Sequence, residues 1–250
     1  MFNGEYTKKI MDRYFLIWVV ILIIIISFFV MYKYYVKGET NMPFKVSKIY
    51  IVSSAQTENI ELEENKQYVA DIIQKNDIYI SIEKNNKYKK DEIIKQIKFD
   101  NFKIIEDSDK GSLTIYRPSK KEGKTYEYIE EYEVSNIEYI GTQKTDIKSE
   151  ELTIANQGGI IQFSICLKDL GSISYSENEN VQLDGMLLKN LKLKTEDISK
   201  KISFDMEIEL ESGVIFYTNM EITIPTGDIA EEGISNYTNE NMNNLVFKRK

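Results

Sequence analysis

The chain has 250 residues, 42% of them hydrophobic and only 3 prolines, which excludes a largely disordered protein and allows one or two modest domains. It has no histidine and one cysteine, which removes Ser-His-Asp and Cys-His nucleophilic systems, histidine or thiolate zinc sites and any intramolecular disulfide. Its formal charge is −8, and beyond Gly38 there are 27 Lys and Arg against 38 Asp and Glu, a balance of −11 that should repel nucleic acid and anionic lipid headgroups unless basic residues are locally concentrated.

In chain order, residues 1–13 form a short tail with Lys8, Lys9 and Arg13 against Glu5 and Asp12. Tyr14 to Tyr32, "YFLIWVVILIIIISFFVMY", is 19 residues without a charge. At about 1.5 Å per residue this run nearly spans a hydrocarbon layer of about 30 Å. Tyr14 and Trp18 mark one end and Tyr32, Tyr34 and Tyr35 the other, the aromatic pattern of membrane interfaces. Lys33 and Lys37 can extend to headgroups. The run is apolar all round, unlike a helix buried on one face. It exceeds the apolar region of a signal peptide, and neither a small-residue cleavage site nor a cysteine follows it. The expectation is an uncleaved transmembrane helix over 14–36, in contact with the lipid bilayer. The tail would be cytoplasmic and the rest extracytoplasmic, since long segments translocate largely regardless of charge. Residues 37–43 form a short linker, so the first strand is expected close to the bilayer.

After Pro43, β-branched and aromatic residues occur in short runs between turn signals, which predicts a mainly β, antiparallel structure. Expected strands are "FKVSKIYIV", "DIYISIEK", "IKFDNFKII", "SLTIYR", "YEYIEEYEVSNIEYI", "GGIIQFSICLK", "LKNLKLK", "ISFDMEIEL" and "VIFYTNMEITI". In "SFDMEIEL", Phe204, Met206, Ile208 and Leu210 fall on one face and Ser203, Asp205, Glu207 and Glu209 on the other. "ESGV" supplies the turn that follows. Helix is expected only in "KKDEIIKQI", for two turns, and in "GDIAEEGISNYTNEN", for one or two.

Four short stretches recur in order. "KVSKIYIVS" is echoed by "EVSNIEYIG", "YISIEK" by "FSICLK", "IKQIKF" by "LKNLKL" and "DKGSLTIY" by "LESGVIFY". The expectation is an internal duplication of two tandem β-sandwich-like modules, 44–124 and 125–250, the second with a short C-terminal extension. It places Ile49 and Ile137 at equivalent buried positions.

Chemistry-bearing patterns are few. Ser81-Ile82-Glu83-Lys84 spells S-x-x-K, but that mechanism needs a helix, and strand alternation sends Ser81 and Lys84 to opposite faces. Asp107-Ser108-Asp109-Lys110-Gly111 resembles the opening of a calcium loop but lacks its later positions, and a hairpin turn explains it. Glu127, Glu130, Glu131 and Glu133 read as a solvated strand face, and Cys166 as a small buried residue. The basic stretch Lys84–Lys98 is interrupted by Asp91 and Glu92 and reads as a solvated loop and edge. "IPTGD", Ile224–Asp228, lacks the spacing of a sortase signal. No catalytic, cofactor-binding or metal residue is assigned.

In plan and composition (tail, uncleaved anchor, Lys/Ile/Asn-rich β region) the chain resembles single-pass, membrane-anchored envelope proteins of low-GC Gram-positive bacteria. That resemblance carries no activity and no site residues. The expected function is a non-enzymatic, extracytoplasmic binding or structural protein of the cell envelope, engaging a protein partner or assembly. The alternatives are a carboxylate-based envelope hydrolase, which needs two carboxylates across a cleft, and a glycan-binding module, which needs exposed coplanar tyrosines.

Overall fold

A computed structural model describes residues 4–62, 67–108, 110–119, 125–176, 187–242 and 245–250, with side chains from residue 13 onward except that of Asn59. The uncharged run lies within helix α1 (Gly4–Met31), which also takes in most of the charged tail and continues into a π-helical turn, Tyr32–Lys37. Gly38, at φ 79°, ends it by donating its N–H to the Lys33 carbonyl at 2.9 Å. Arg13–Lys37 is long and apolar enough to cross a membrane, and none of its apolar window is buried against the rest of the chain.

The remainder is mainly β, in two sheets. The strands are β1 (Phe44–Leu62), β2 (Gln67–Lys84), β3 (Ile94–Glu106), β4 (Ser112–Tyr116), β5 (Ile137–Gly141), β6 (Leu152–Ile154), β7 (Gly158–Lys168) and β8 (Ser172–Ser176). After helix α2 (Leu187–Asn190) come β9 (Lys200–Leu210), β10 (Ile215–Ile224), helix α3 (Ile229–Glu232), β11 (Ile234–Asn239) and β12 (Lys248–Arg249). The first sheet runs β11-β1-β2-β7-β4, with β8 also on β2; the second runs β12-β10-β9-β3-β5-β6. Among the described residues only β5 and β6 pair in parallel.

The expected modules 44–124 and 125–250 both contribute strands to both sheets. β2 shows why: β1 pairs along one of its edges, and β7 and β8 satisfy the other. One core fills the space between the sheets. Ile49 and Ile137 both lie in it, from opposite sheets. At its centre Phe99, Phe163 and Phe204 meet with ring centroids 5.3–6.0 Å apart. Each such pair adds about 0.5–1.5 kcal/mol beyond burial.

The first sheet is the taller. Its inner face continues past the main core through Ser53, Gln74 and Asn76 to Ala55, Ile72 and Leu167, where α2 and α3 cover it with Leu187, Leu188, Ile229 and Ala230. The three polar side chains between the two clusters are fully paired. Ser53 Oγ donates to Asn76 Oδ1 at 2.7 Å, Asn76 Nδ2 donates to Gln74 Oε1 at 2.8 Å, and Gln74 Nε2 donates back to Asn76 Oδ1 at 2.8 Å.

Several local expectations change. "LKNLKLK" is not a strand: Leu187, Leu188 and Leu191 have helical spacing, and α2 turns them into the second cluster. The third echo therefore matches strand β3 with a helical turn, while the other three match strand to strand. "KKDEIIKQI" forms no helix. Ile94 and Ile97 are both inward because a bulge between Ile94 and Gln96 shifts the register of β3 against β9. Of "YEYIEEYEVSNIEYI", only its end becomes strand β5, and Tyr126–Glu133 instead folds over the outer face of the first sheet, where Tyr128 meets Tyr116 edge-on at 5.2 Å. The alternation of β9 and the turn at Gly213 are as expected.

Candidate binding groove between two sheet edges

Strand β10 alternates as a half-buried strand should: Phe216, Thr218, Met220, Ile222 and Ile224 point inward, and Asn219, Glu221 and Thr223 outward. β9 pairs along its whole length on one side. On the other side β12 pairs only at Phe216 and Tyr217. Among the described residues no strand covers Thr218–Ile224, so about half of their backbone N–H and C=O groups face outward unpaired.

This free edge faces β11, the free edge of the first sheet, across a groove of about 550 Å³. Ile49 and Ile51 of β1 form its floor, Met220 and Ile222 one wall, and Met242 and Leu245, from the crossing between sheets, the other. Tyr237, half exposed, stands at the lip. The groove is apolar inside. Its rim is polar and already paired: Lys201 Nζ lies 2.9 Å from Glu221, and Asn219 Nδ2 donates to Ser203 Oγ at 2.8 Å and to Asp205 at 2.9 Å. An apolar trough beside unpaired backbone can hold an extended peptide, with its main chain on β10 and alternate side chains in the trough.

The residues weighed for chemistry are dispersed. Ser81 and Lys84 lie on β2, three residues apart in a strand and so on opposite faces, and Lys84 pairs with Asp91. Asp107 pairs with the buried Lys200, whose ammonium also donates to the Ser108 carbonyl at 3.1 Å; Asp109 lies outside the described residues. Glu130 and Glu131 sit exposed on a short 3-10 turn. Glu133 accepts hydrogen bonds from Lys168 at 2.9 Å and Tyr116 at 2.7 Å, which hold its carboxyl below the usual range. Glu58, partly buried nearby, is pushed up by desolvation against the pull of Lys168. Cys166 is fully buried on β7, and burial pushes its thiol up, which makes it unreactive as a nucleophile.

A second depression, about 690 Å³, lies on the outer face of the first sheet beside Glu58, Asp77, Tyr126 and Tyr128. Asp77 is committed to Ser164 at 2.9 Å and Tyr128 at 3.2 Å. Tyr126 and Tyr128 are near-parallel, at 22°, but partly buried, so they form a wall and not an exposed platform. Among the described residues no group of three or more Asp, Glu or Cys side chains is placed to hold a metal ion.

Sequence reasoning marks β10 as a strand but misses the groove. The local signal is faint: Met242 and Leu245 are two of four apolar residues, with Val246 and Phe247, in the last eleven of the chain. Comparison of the chain with protein-family models, with curated proteins and with solved structures finds no match.

Proposed function

We propose that this chain is a membrane-anchored binding module of the cell envelope. α1 holds it in the bilayer with residues 1–13 on the cytoplasmic side and the sandwich outside. It takes an extended segment of a protein partner along β10. The observation that carries the reading is the free edge Thr218–Ile224 beside the apolar groove. The exposed apolar helix supports the anchor, since a run of this length left in water would expose a large apolar surface. No catalytic role enters this reading.

The test is in-cell photocrosslinking of the full chain, with the crosslinker at Tyr237 or Met242 and, as a control, at Asp146, exposed between β5 and β6 at the far edge of the second sheet from β10. Adducts at both groove positions that map to one segment of one partner, and are absent from the control, support the reading. No adduct above the control overturns it. Orientation is tested separately by a reporter fused after Lys250: activity of a cytoplasm-only reporter would rule out an exported sandwich.

A further inference from the structure

Resting on the anchored reading above, we propose that the helix-proximal face of the sandwich is a docking surface for the anionic headgroups of the leaflet from which α1 emerges. Two observations meet here, a hydrogen-bonded joint and a reversal of charge.

The joint places the surface. Directly after the π-helical turn, Glu39 and Phe247 exchange two backbone hydrogen bonds, at 2.7 and 3.0 Å. Arg249 Nε donates to Glu39 Oε1 at 2.8 Å, and its guanidinium lies 4.1 Å from the Tyr34 ring and 5.4 Å from that of Phe216. Helix and sandwich are thus clasped through one arginine held between a ring of each. Gly38 is tied into the same joint, since a Cβ there would meet Val246 at 2.5 Å and the Phe247 carbonyl at 2.7 Å. The loop after β2 hangs at this level: Asn85 donates from its N–H to the Pro43 carbonyl at 2.7 Å and from Nδ2 to the Met42 carbonyl at 2.9 Å. The Tyr88 hydroxyl is raised in pKa chiefly by burial and lies in the field of Arg249 and Glu39.

The charge identifies the occupant. Residues 32–41, 85–92 and 246–250 together carry eight Lys and Arg against three Asp and Glu, although the chain beyond Gly38 is strongly acidic. Glu39 is taken by Arg249 and Asp91 by Lys84. Lys37, Lys87, Lys89 and Lys90 are exposed and have no ion-pair partner among the described residues. A cationic collar around the exit of an apolar helix is complementary to an anionic lipid surface, and the acidic remainder of the sandwich is repelled from it. The sandwich therefore sits upright on its base, with the groove held at a fixed height.

The experiment uses the full chain with Lys89→Cys carrying a polarity-sensitive dye; the buried Cys166 does not compete for label. The labelled protein is placed in nanodiscs of phosphatidylcholine alone or with phosphatidylglycerol. The expected result is a blue shift and at least a twofold rise in emission with phosphatidylglycerol, reversed by high salt and by Lys87→Gln with Lys90→Gln. Glycerophosphate added to neutral nanodiscs is expected to change nothing, which separates a headgroup in a membrane from the free anion. Equal emission in both lipids, or an equal response to free glycerophosphate, overturns the proposal. Quenching of Trp18 by brominated lipid reads the anchor independently. An unquenched Trp18 overturns the anchored reading itself, whereas a quenched Trp18 with an unresponsive dye overturns only the docking surface.

Discussion

Glu133 shows how a residue that reads as one more surface carboxylate acquires a structural task. Lys168 and Tyr116 both donate to it, and Lys168 also lies 5.2 Å from the centre of the Tyr116 ring. Partial burial works against the Lys168 charge, but the bonds to Tyr116 and Glu133 outweigh it and raise its pKa. For Glu133 the shift is downward, so its stabilising contribution is fully present above the unfolded glutamate value, near 4.3, and is lost as pH falls through the lower folded value. Glu133→Gln is expected to cost about 1 kcal/mol at neutral pH, with the gap to the parent chain closing in acid. Urea unfolding at a series of pH values measures it, and a gap that widens in acid would contradict the assignment. Tyr116→Phe, which removes one donor, is expected to cost about 1 kcal/mol by the same assay. At Gly141 the constraint is steric: a Cβ would stand 2.2 Å from the Ile94 carbonyl oxygen. Gly141→Ala must push β5 off β3 and is expected to lose about 1–3 kcal/mol.

At the scale of elements, the first sheet is held to its two cores by a polar belt. Asn76 bonds both Ser53 and Gln74 and donates to the Ile165 carbonyl at 3.0 Å. Asn76→Leu would strand these partners in a dry interior, at about 1–3 kcal/mol for each buried group left unpaired. The variant is expected to lower the midpoint of thermal unfolding. A midpoint unchanged or raised would show the belt to be dispensable. The belt also marks where the sequence stops being legible. β9 announces itself by strict alternation, and α1 by nineteen residues without charge. β2 hides its inward face, because Gln74 and Asn76 break the apolar alternation at the positions that need polar partners. β3 imitates a helix through a bulge, which only pairing with β9 reveals. The groove is illegible for a related reason: its floor and walls come from β1, β10 and the crossing after β11, and nothing local to any of them says that they meet.

For the whole molecule, the arrangement of strands brings the start and the end of the β region to one joint. β1 leaves the helix, β12 returns beside Glu39, and the strands between them interleave in one sandwich. Arg249 is the hinge pin of that joint, since it touches the helix through Tyr34, the linker through Glu39 and the sandwich through Phe216. Removing its guanidinium deletes a charged hydrogen bond and two ring contacts without opening the core, because Phe216 remains packed between the sheets. Arg249→Ala is therefore expected to weaken the joint by about 1–2 kcal/mol, which speeds local opening about 5–30-fold. Amide hydrogen exchange of the full chain in nanodiscs reads this directly. Residues 32–41 and 246–250 should exchange faster, while Phe204–Ile208 at the centre of the second sheet should not change. Faster exchange throughout the sandwich would make Arg249 a determinant of the fold and not of its attachment. No change at 32–41 would mean that the backbone bonds between Glu39 and Phe247 hold the joint alone.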